Sequence, residues 1–394
     1  MSFKRGKVTI RVAYPMRVDA LDKPGGDVQQ INSYIEAGRK VGNDGRCRYE
    51  GTLIHDCTAD LSGFDLVHLT NIDRPVDTYA SFLSAARAGK PIFLSPIHHS
   101  YTEIQRYELE GRYGMFRLLS RILDFDRREY LRSFARSKRY PELLSLTSRM
   151  IRRGMRNSQR AILAGVDRIL VLTEKEKNDI LRDFGTLAEE RFLQIPNGFE
   201  GEKGSRLETR VRDLDVCVVG RIEARKNQVV VLRVLEQLGL SGIFVGRENP
   251  NHRSYCRTFK NMIARSSSRH FAGLPHEEIL RIMRRSRVHV SASWCEVSSL
   301  VDLEAFHAGC QVVSSQCGGT REILGESAQY VDPGSDKCIQ EAIMRAMEQS
   351  RLAEQRQTGH KKLISITWDE VADRLACLYQ DAVERGRLSR ALSQ

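Results

Sequence analysis

The chain has 394 residues, 41% hydrophobic and 28% charged, with 62 Lys and Arg against 50 Asp and Glu for a net charge of +12. At about 100–200 residues per domain, that length suggests two domains, each able to bury a core of its own. Gly at 29 and Pro at 10 exclude a disordered or collagen-like chain. No apolar run approaches the ~18 residues that a membrane span requires.

The segment Met1–Pro15 carries basic residues and a short apolar stretch interrupted by Arg11, which reads as a first strand rather than a secretory signal. The expectation is a cytosolic protein. Nine scattered cysteines, none in a CxxC pair and several in apolar runs such as VCVV around Cys217, predict reduced, buried thiols rather than a zinc site or a disulfide framework.

Strand and helix signals then alternate. KVTIRVAY (7–14) is a strand, followed by a Gly-containing loop and an amphipathic helix over 27–41. DLVHLT (65–70) is a strand, 78–89 a helix closed by Gly89, and PIFLSPI (91–97) a strand. Continuous apolar runs separated by helices are what a parallel sheet covered on both faces needs. Residues 101–160 interrupt this rhythm with Arg-rich helical periodicity. Between Arg127 and Arg160 there are eleven Lys/Arg against Glu129 and Glu142, a net of +9. Such a stripe suits an anionic surface, and equally a solvated helix face. DRILVLT (167–173), a helix over 174–184 and RFLQIP (191–196) resume the alternation.

The polar, Gly-rich stretch 197–210 is the best linker candidate. After it come strand 216–220, helix 227–238, strand 243–246, helix 276–285, strand 288–293, helix 299–308, strand 311–315, a short helix at 320–324 and strand 328–331, with helical periodicity from about 335 to 390. Two βα series joined by a linker predict an α/β protein of two Rossmann-like domains facing each other across a cleft. The expected division is residues 1–200 with a basic helical insertion at about 101–160, then 201–367, with a helix over 368–394 that packs back on the first domain. In such sheets the ligand lies beyond the carboxyl ends of the strands, so chemistry is sought in strand-end loops.

VCVVGRIEARKNQ places Gly220, Arg221 and Lys226 just past a strand and at the mouth of a helix. A glycine there lets a ligand approach the backbone, and two cations plus a helix N-terminus suit a phosphate or diphosphate. Solvated loop charges account for this motif alone equally well. In SASWCEVSSLVDLEAFHAGC, Glu296 lies on the loop after strand 288–293, Ser298 and Ser299 are N-cap candidates, and Glu304 follows on the helix. A carboxylate oxygen accepts two donors, so these acids suit sugar hydroxyls.

These motifs together resemble the C-terminal domain of glycosyltransferase family 4, the group 1 transferases of GT-B architecture. The resemblance rests on Gly220-Arg221…Lys226, Glu296…Glu304 and Gly318-Gly319-Thr320-Arg321-Glu322, covers about residues 165–350, and includes IPNGF (195–199). It implies that Arg221 and Lys226 hold the donor's diphosphate, that Glu296 contacts the transferred sugar and Glu304 the ribose. It further implies that backbone N–H groups of Ser298, Ser299 and Leu300 face the phosphates and that Phe271 to Leu274 border the base. The family's Glu-Gly-Phe-Gly is here Glu296-Val297-Ser298-Ser299, without either glycine. In the first domain Gly25 and Gly26 match the family's Gly-rich loop, and His98 or His99 its sugar-facing histidine; turn chemistry and a structural histidine are the alternative readings.

The function expected is transfer of a sugar from a nucleotide-diphosphate donor, a co-substrate with no further cofactor, to a lipid-linked or polysaccharide acceptor. The resemblance implies retention of configuration. Paired cations stand where other transferases use a metal, so no metal is expected, and Asp124-Phe125-Asp126 and Asp213-Leu214-Asp215 are read as incidental. An epimerase of the same architecture is the alternative. Nucleic-acid binding is a further one, although the basic segment contains no recognised module. A peripheral contact with the inner membrane face fits that segment better, since RRGMRNSQRAIL (152–163) mixes Arg with Met, Ile and Leu.

Overall fold

The computed structural model describes residues 9–22, 25–40, 48–111, 125–199, 212–356 and 366–392. The chain divides into two compact units: unit 1 takes residues 1–98, 125–201 and 365–394, and unit 2 takes 99–124 and 202–364. Residues 99–124 thus group with unit 2, and residues 365–394 with unit 1. Part of the basic insertion belongs to each unit, and most of the linker candidate, from 200 onward, lies outside the described residues.

Unit 1 runs β1 (Thr9–Pro15), α1 (Gly26–Lys40), β2 (Arg48–Ile54), β3 (Leu66–Thr70), α2 (Pro75–Ala88) and β4 (Ile92–Ser95). The chain then enters unit 2 for α3 (Tyr101–Arg106) and a π-helical turn, Tyr107–Gly111. It returns for α4 (Phe125–Ser137), α5 (Glu142–Arg153), α6 (Met155–Gly165), β5 (Arg168–Val171), α7 (Glu174–Phe184) and β6 (Phe192–Gln194). The six strands pair in parallel in the order β2-β1-β3-β4-β5-β6. Every residue of β3 and β4 is buried, the reason their sequences read as largely apolar runs, with His68, Thr70 and Ser95 as buried polar members. Pro75 opens α2 where its missing N–H costs nothing, and Gly89 closes it at φ +60°.

Unit 2 continues with β7 (Leu214–Val219), α8 (Gln228–Leu238), β8 (Gly242–Val245), α9 (Arg253–Ile263), β9 (Arg269–Phe271), α10 (His276–Arg285), β10 (Ser286–Ser291), α11 (Leu300–His307), β11 (Gln311–Ser315), α12 (Thr320–Leu324), β12 (Ala328–Val331) and α13 (Asp336–Arg356). Its parallel sheet has the order β12-β11-β10-β7-β8-β9. Taken from β9, this is the 3-2-1-4-5-6 arrangement of dinucleotide-binding folds, with the order reversing between β7 and β10. The core gathers Val216, Val218, Phe244, Val288, Val290 and Ile343 between sheet and helices.

The last helix, α14 (Trp368–Leu392), belongs to unit 1 and packs on α1. Its Tyr379 is fully buried, with the hydroxyl 2.9 Å from that of Tyr14 and 2.6 Å from His68 Nδ1. Gly198 of the IPNGF segment lies so close that a Cβ there would stand 2.6 Å from the Trp368 backbone nitrogen. Three elements had no sequence expectation: β2, β9 and α9. Both strands are sheet edges, and polar, half-exposed edges lose the apolar signal that marks the central strands. No helix of the described residues is long and apolar enough to cross a membrane.

Candidate functional site

The two strands flanking the reversal in unit 2 end in the loops that carry the motifs. After β7, Gly220 takes φ +148° and the Lys226 side chain passes over it, Cδ and Cε standing 3.8 Å from where a Cβ would be. Gly246, at the end of the neighbouring β8, has φ +154°; a Cβ there would meet the Gly220 carbonyl oxygen at 2.1 Å. Only glycine permits these two strand ends to approach so closely.

Lys226 Nζ donates to Glu296 Oε2 at 2.5 Å, so the cation after β7 and the acid after β10 meet directly. The side chains are only 20% and 16% exposed. Burial alone would raise the Glu296 pKa, but the charges of Lys226 and Arg225 outweigh it and hold the carboxyl at about 2. Glu296 is therefore an anion at neutral pH. Glu223 is similar: burial opposes ionisation, yet Arg225 and the Asn249 amide, 2.6 Å from Oε2, bring it to about 2. Arg221 Nη1 lies 4.0 Å from that same Glu223 oxygen. Within unit 2, then, Arg221, Lys226 and Glu296 line the ends of β7 and β10.

Glu304 stands one turn along α11, its Oε1 3.8 Å from His276 Nε2 at the start of α10. Ser299 caps α11, its hydroxyl accepting from the Asp302 N–H at 3.2 Å. The Ser299 backbone N–H donates to Thr320 Oγ1 at 3.3 Å, so it is directed at Thr320. Ser298 and Leu300 flank it, and first-turn N–H groups such as that of Leu300 have no intrahelical acceptor. Phe271, at the end of β9, is 38% exposed. The neighbouring loop packs against this one: Gly318, at φ +83°, approaches so closely that a Cβ would stand 2.2 Å from the Glu296 carbonyl oxygen, and Gly319 N–H donates to Val297 O at 2.7 Å.

The two histidines part company. His98 belongs to unit 1, where its ring is buried with Nδ1 2.7 Å from Asp73 and Nε2 2.9 Å from Asp183. Burial would lower its pKa, but the two carboxylates push it up to about 10. Its backbone N–H donates to Glu176 at 2.9 Å. His99 belongs to unit 2, with Nε2 3.3 Å from Arg225 Nη1, and its charge interaction favours the anionic form of Glu296. Gly25 and Gly26 open α1 in unit 1, beside Asp27, which Arg17 Nε contacts at 2.8 Å and Asn71 Nδ2 at 3.1 Å. Asp213 and Asp215 face Arg285, Arg287 and Ser241, as members of surface pairs; Asp124 lies outside the described residues.

Sequence reasoning overlooked Glu223, Arg225 and Asn249. Glu223 and Arg225 carried a signal, since they lie between Arg221 and Lys226 on one short strand-end loop. Asn249 carried none, because its partner is 26 residues away.

Residues 202–362 match a family model described as glycosyl transferases group 1. The D-inositol 3-phosphate glycosyltransferase 1 of Catenulispora acidiphila is 26% identical over 255 residues, 58% of this chain and 60% of that protein. One subunit of the phosphatidylinositol N-acetylglucosaminyltransferase of Arabidopsis thaliana is 22% identical over 232 residues, 56% of this chain and 51% of that protein. The alignments thus span less than two thirds of these relatives' lengths. Among solved structures, Anabaena HepE in complex with UDP covers 98% of this chain and 99% of its own, at 14% identity and a TM-score of 0.57. That likeness concerns the fold, the two-domain GT-B architecture.

Proposed function

We propose that this chain, whose residues 202–362 match the model of the group 1 glycosyl transferases, transfers a sugar from a nucleotide-diphosphate donor to an acceptor. The observation that carries this reading is the Lys226–Glu296 pair at the reversal point between β7 and β10. There an ionised carboxylate keeps lone pairs for sugar hydroxyls while Lys226 and Arg221 offer positive charge to a diphosphate. Glu304, further along α11, is assigned to the ribose hydroxyls, and the backbone N–H groups of Ser298 and Leu300 to the phosphates. Of the two histidines, His99 is assigned to the transferred sugar, because it shares a unit and Arg225 with Glu296, whereas both ring nitrogens of His98 engage carboxylates.

Transfer proceeds with retention and without a metal in this reading. Catalysis rests on positioning and on electrostatic stabilisation of the leaving diphosphate by Arg221 and Lys226. HepE was crystallised with UDP, which makes UDP the first nucleotide to test. Thermal-shift screening against UDP, GDP and ADP, followed by product analysis with the matching sugar nucleotides, tests the proposal. One nucleotide should raise the melting temperature by mass action, and a new glycosidic product should require an acceptor. Release of an isomerised sugar without any acceptor would favour the epimerase alternative, and stabilisation by none of the nucleotides would reject the reading.

A lipid-linked acceptor at a membrane face is favoured by a separate observation. On α4 and α5, Leu131 (60%), Phe134 (47%), Leu144 (46%) and Ile151 (44%) are exposed large apolar side chains. Exposed Lys138, Arg139, Arg152 and Arg153 accompany them. Apolar residues among cations suit insertion at an anionic interface. Flotation with anionic vesicles should carry the protein upward at low salt and fail with neutral vesicles; equal behaviour with both removes the membrane reading.

A further inference from the structure

Residues 99–111 leave unit 1 after His98 and join unit 2 as α3 and the π turn. The segment is anchored there by packing. Tyr107 is buried in the unit 2 core, and Ile104 packs against it. The Arg106 guanidinium lies 5.5 Å above the Trp294 ring and donates from Nη2 to Asp332 Oδ2 at 3.0 Å. The π turn brings Gly111 so near Trp294 that a Cβ there would stand 2.7 Å from the indole. Trp294 is two residues before Glu296, and the arm therefore rests on the base of the loop that carries the acid.

Two polar contacts from the arm reach residues that in turn touch that loop. In one, His99 Nε2 lies 3.3 Å from Arg225 Nη1, and the same Nη1 donates to the Cys295 carbonyl at 3.1 Å. In the other, Glu103 Oε1 accepts from the Gly318 N–H at 3.1 Å. Gly318 is the residue pressed against the Glu296 carbonyl, and Gly319 donates to Val297. Each contact thus acts through one residue on the loop backbone at Cys295 or Glu296.

We propose that the 99–111 arm is a positioning element for the Glu296 loop, with two positioning residues: Glu103, acting through Gly318 of the neighbouring loop, and Arg225, which His99 contacts and which bonds the Cys295 carbonyl. This deepens the transferase reading above and rests on it. Gly318 and Gly319 of the next loop pack on the backbone of Glu296 and Val297, so Glu103, by fixing Gly318, sets where the Glu296 carboxylate points. Held within a fraction of an ångström, the carboxylate meets the sugar without reorganising during the reaction.

The test uses the full-length protein with Glu103→Ala and Glu103→Gln. Gln retains an oxygen able to accept from the Gly318 N–H; Ala does not. Hydrogen exchange over 295–298 and 316–319 is read beside kcat, donor KM and the dissociation constant of the stabilising nucleotide. Glu103→Ala should speed exchange in those two peptides about tenfold and lower kcat about tenfold, while nucleotide affinity stays within about twofold. Glu103→Gln should restore both. Unchanged exchange and kcat in Glu103→Ala would overturn the proposal. So would a loss of protection throughout unit 2, which would make Glu103 a general fold residue, or a Gln variant as impaired as the Ala variant. Exchange is read independently of turnover. A wild-type protein that transfers no sugar therefore fails the functional reading, whereas unaltered exchange in Glu103→Ala fails the brace.

Discussion

Glu296 and Lys226 are 70 residues apart in sequence and 2.5 Å apart in space. The pair is mostly buried, so its charges interact through protein rather than water and each stabilises the other's ionised form. Lys226→Ala removes a preorganised cation, and turnover should fall by at least ~2–3 kcal/mol in apparent transition-state stabilisation, as such losses do; wild-type kcat/KM in this variant would refute the assignment. The acid also leaves a mark on stability. Its folded pKa of about 2 lies below the ordinary 4.5, so its contribution is present above pH 4.5 and lost as pH falls towards 2. Glu296→Gln should flatten that part of the acid unfolding curve of unit 2. Glu223, held equally low, should still supply its own share.

Loops after strands are positioned here by the strands' own approach. Gly246→Ala places a Cβ 2.1 Å from the Gly220 carbonyl at a φ of +154°, a strain that no rotamer relieves. It should destabilise unit 2 by about 1–3 kcal/mol, the usual range for a residue forced into a sparsely populated conformation, and weaken nucleotide binding with it; chemical denaturation and thermal shift measure both. The loop after β4 shows a different device. His98 is clamped between Asp73 and Asp183, and its pKa of about 10 lies above the ordinary 6.5. Its contribution to stability is therefore complete below pH 6.5 and lost as pH rises towards 10. His98→Asn should remove that alkaline decline from the unfolding of unit 1 while the nucleotide affinity of unit 2 stays the same. A decline that survives in the variant would show that another group is responsible.

Each unit of the whole chain closes its core with a segment remote in sequence. Unit 1 depends on α14, whose Tyr379 hydroxyl contacts Tyr14 and His68 inside an aromatic cluster. Tyr379→Phe leaves those buried partners without it, and should cost about 1–3 kcal/mol. The two tryptophans make the effect local: Trp368 reports on unit 1 and Trp294 on unit 2. In a Trp294→Phe background the fluorescence transition should move to lower denaturant, whereas in a Trp368→Phe background it should stay where it was. Equal shifts in both would mean that the units unfold as one.

The sequence alone determined most of the alternating elements, the two parallel sheets, the strand-end placement of Arg221, Lys226 and Glu296, and the place of Glu304 on the helix that follows. These follow from short-range periodicity, from glycine and proline at element ends, and from the requirement that buried parallel strands be apolar throughout. Tertiary structure alone decided that Lys226 meets Glu296, that Arg225 joins Glu223 to His99, that His98 and His99 fall into different units, and that residues 99–111 serve the second unit rather than the first. Such pairings lie outside local pattern because a side chain's partner is chosen by sheet order and loop packing. Glu103 and Gly318 are 215 residues apart, and nothing in the neighbourhood of either residue specifies the other.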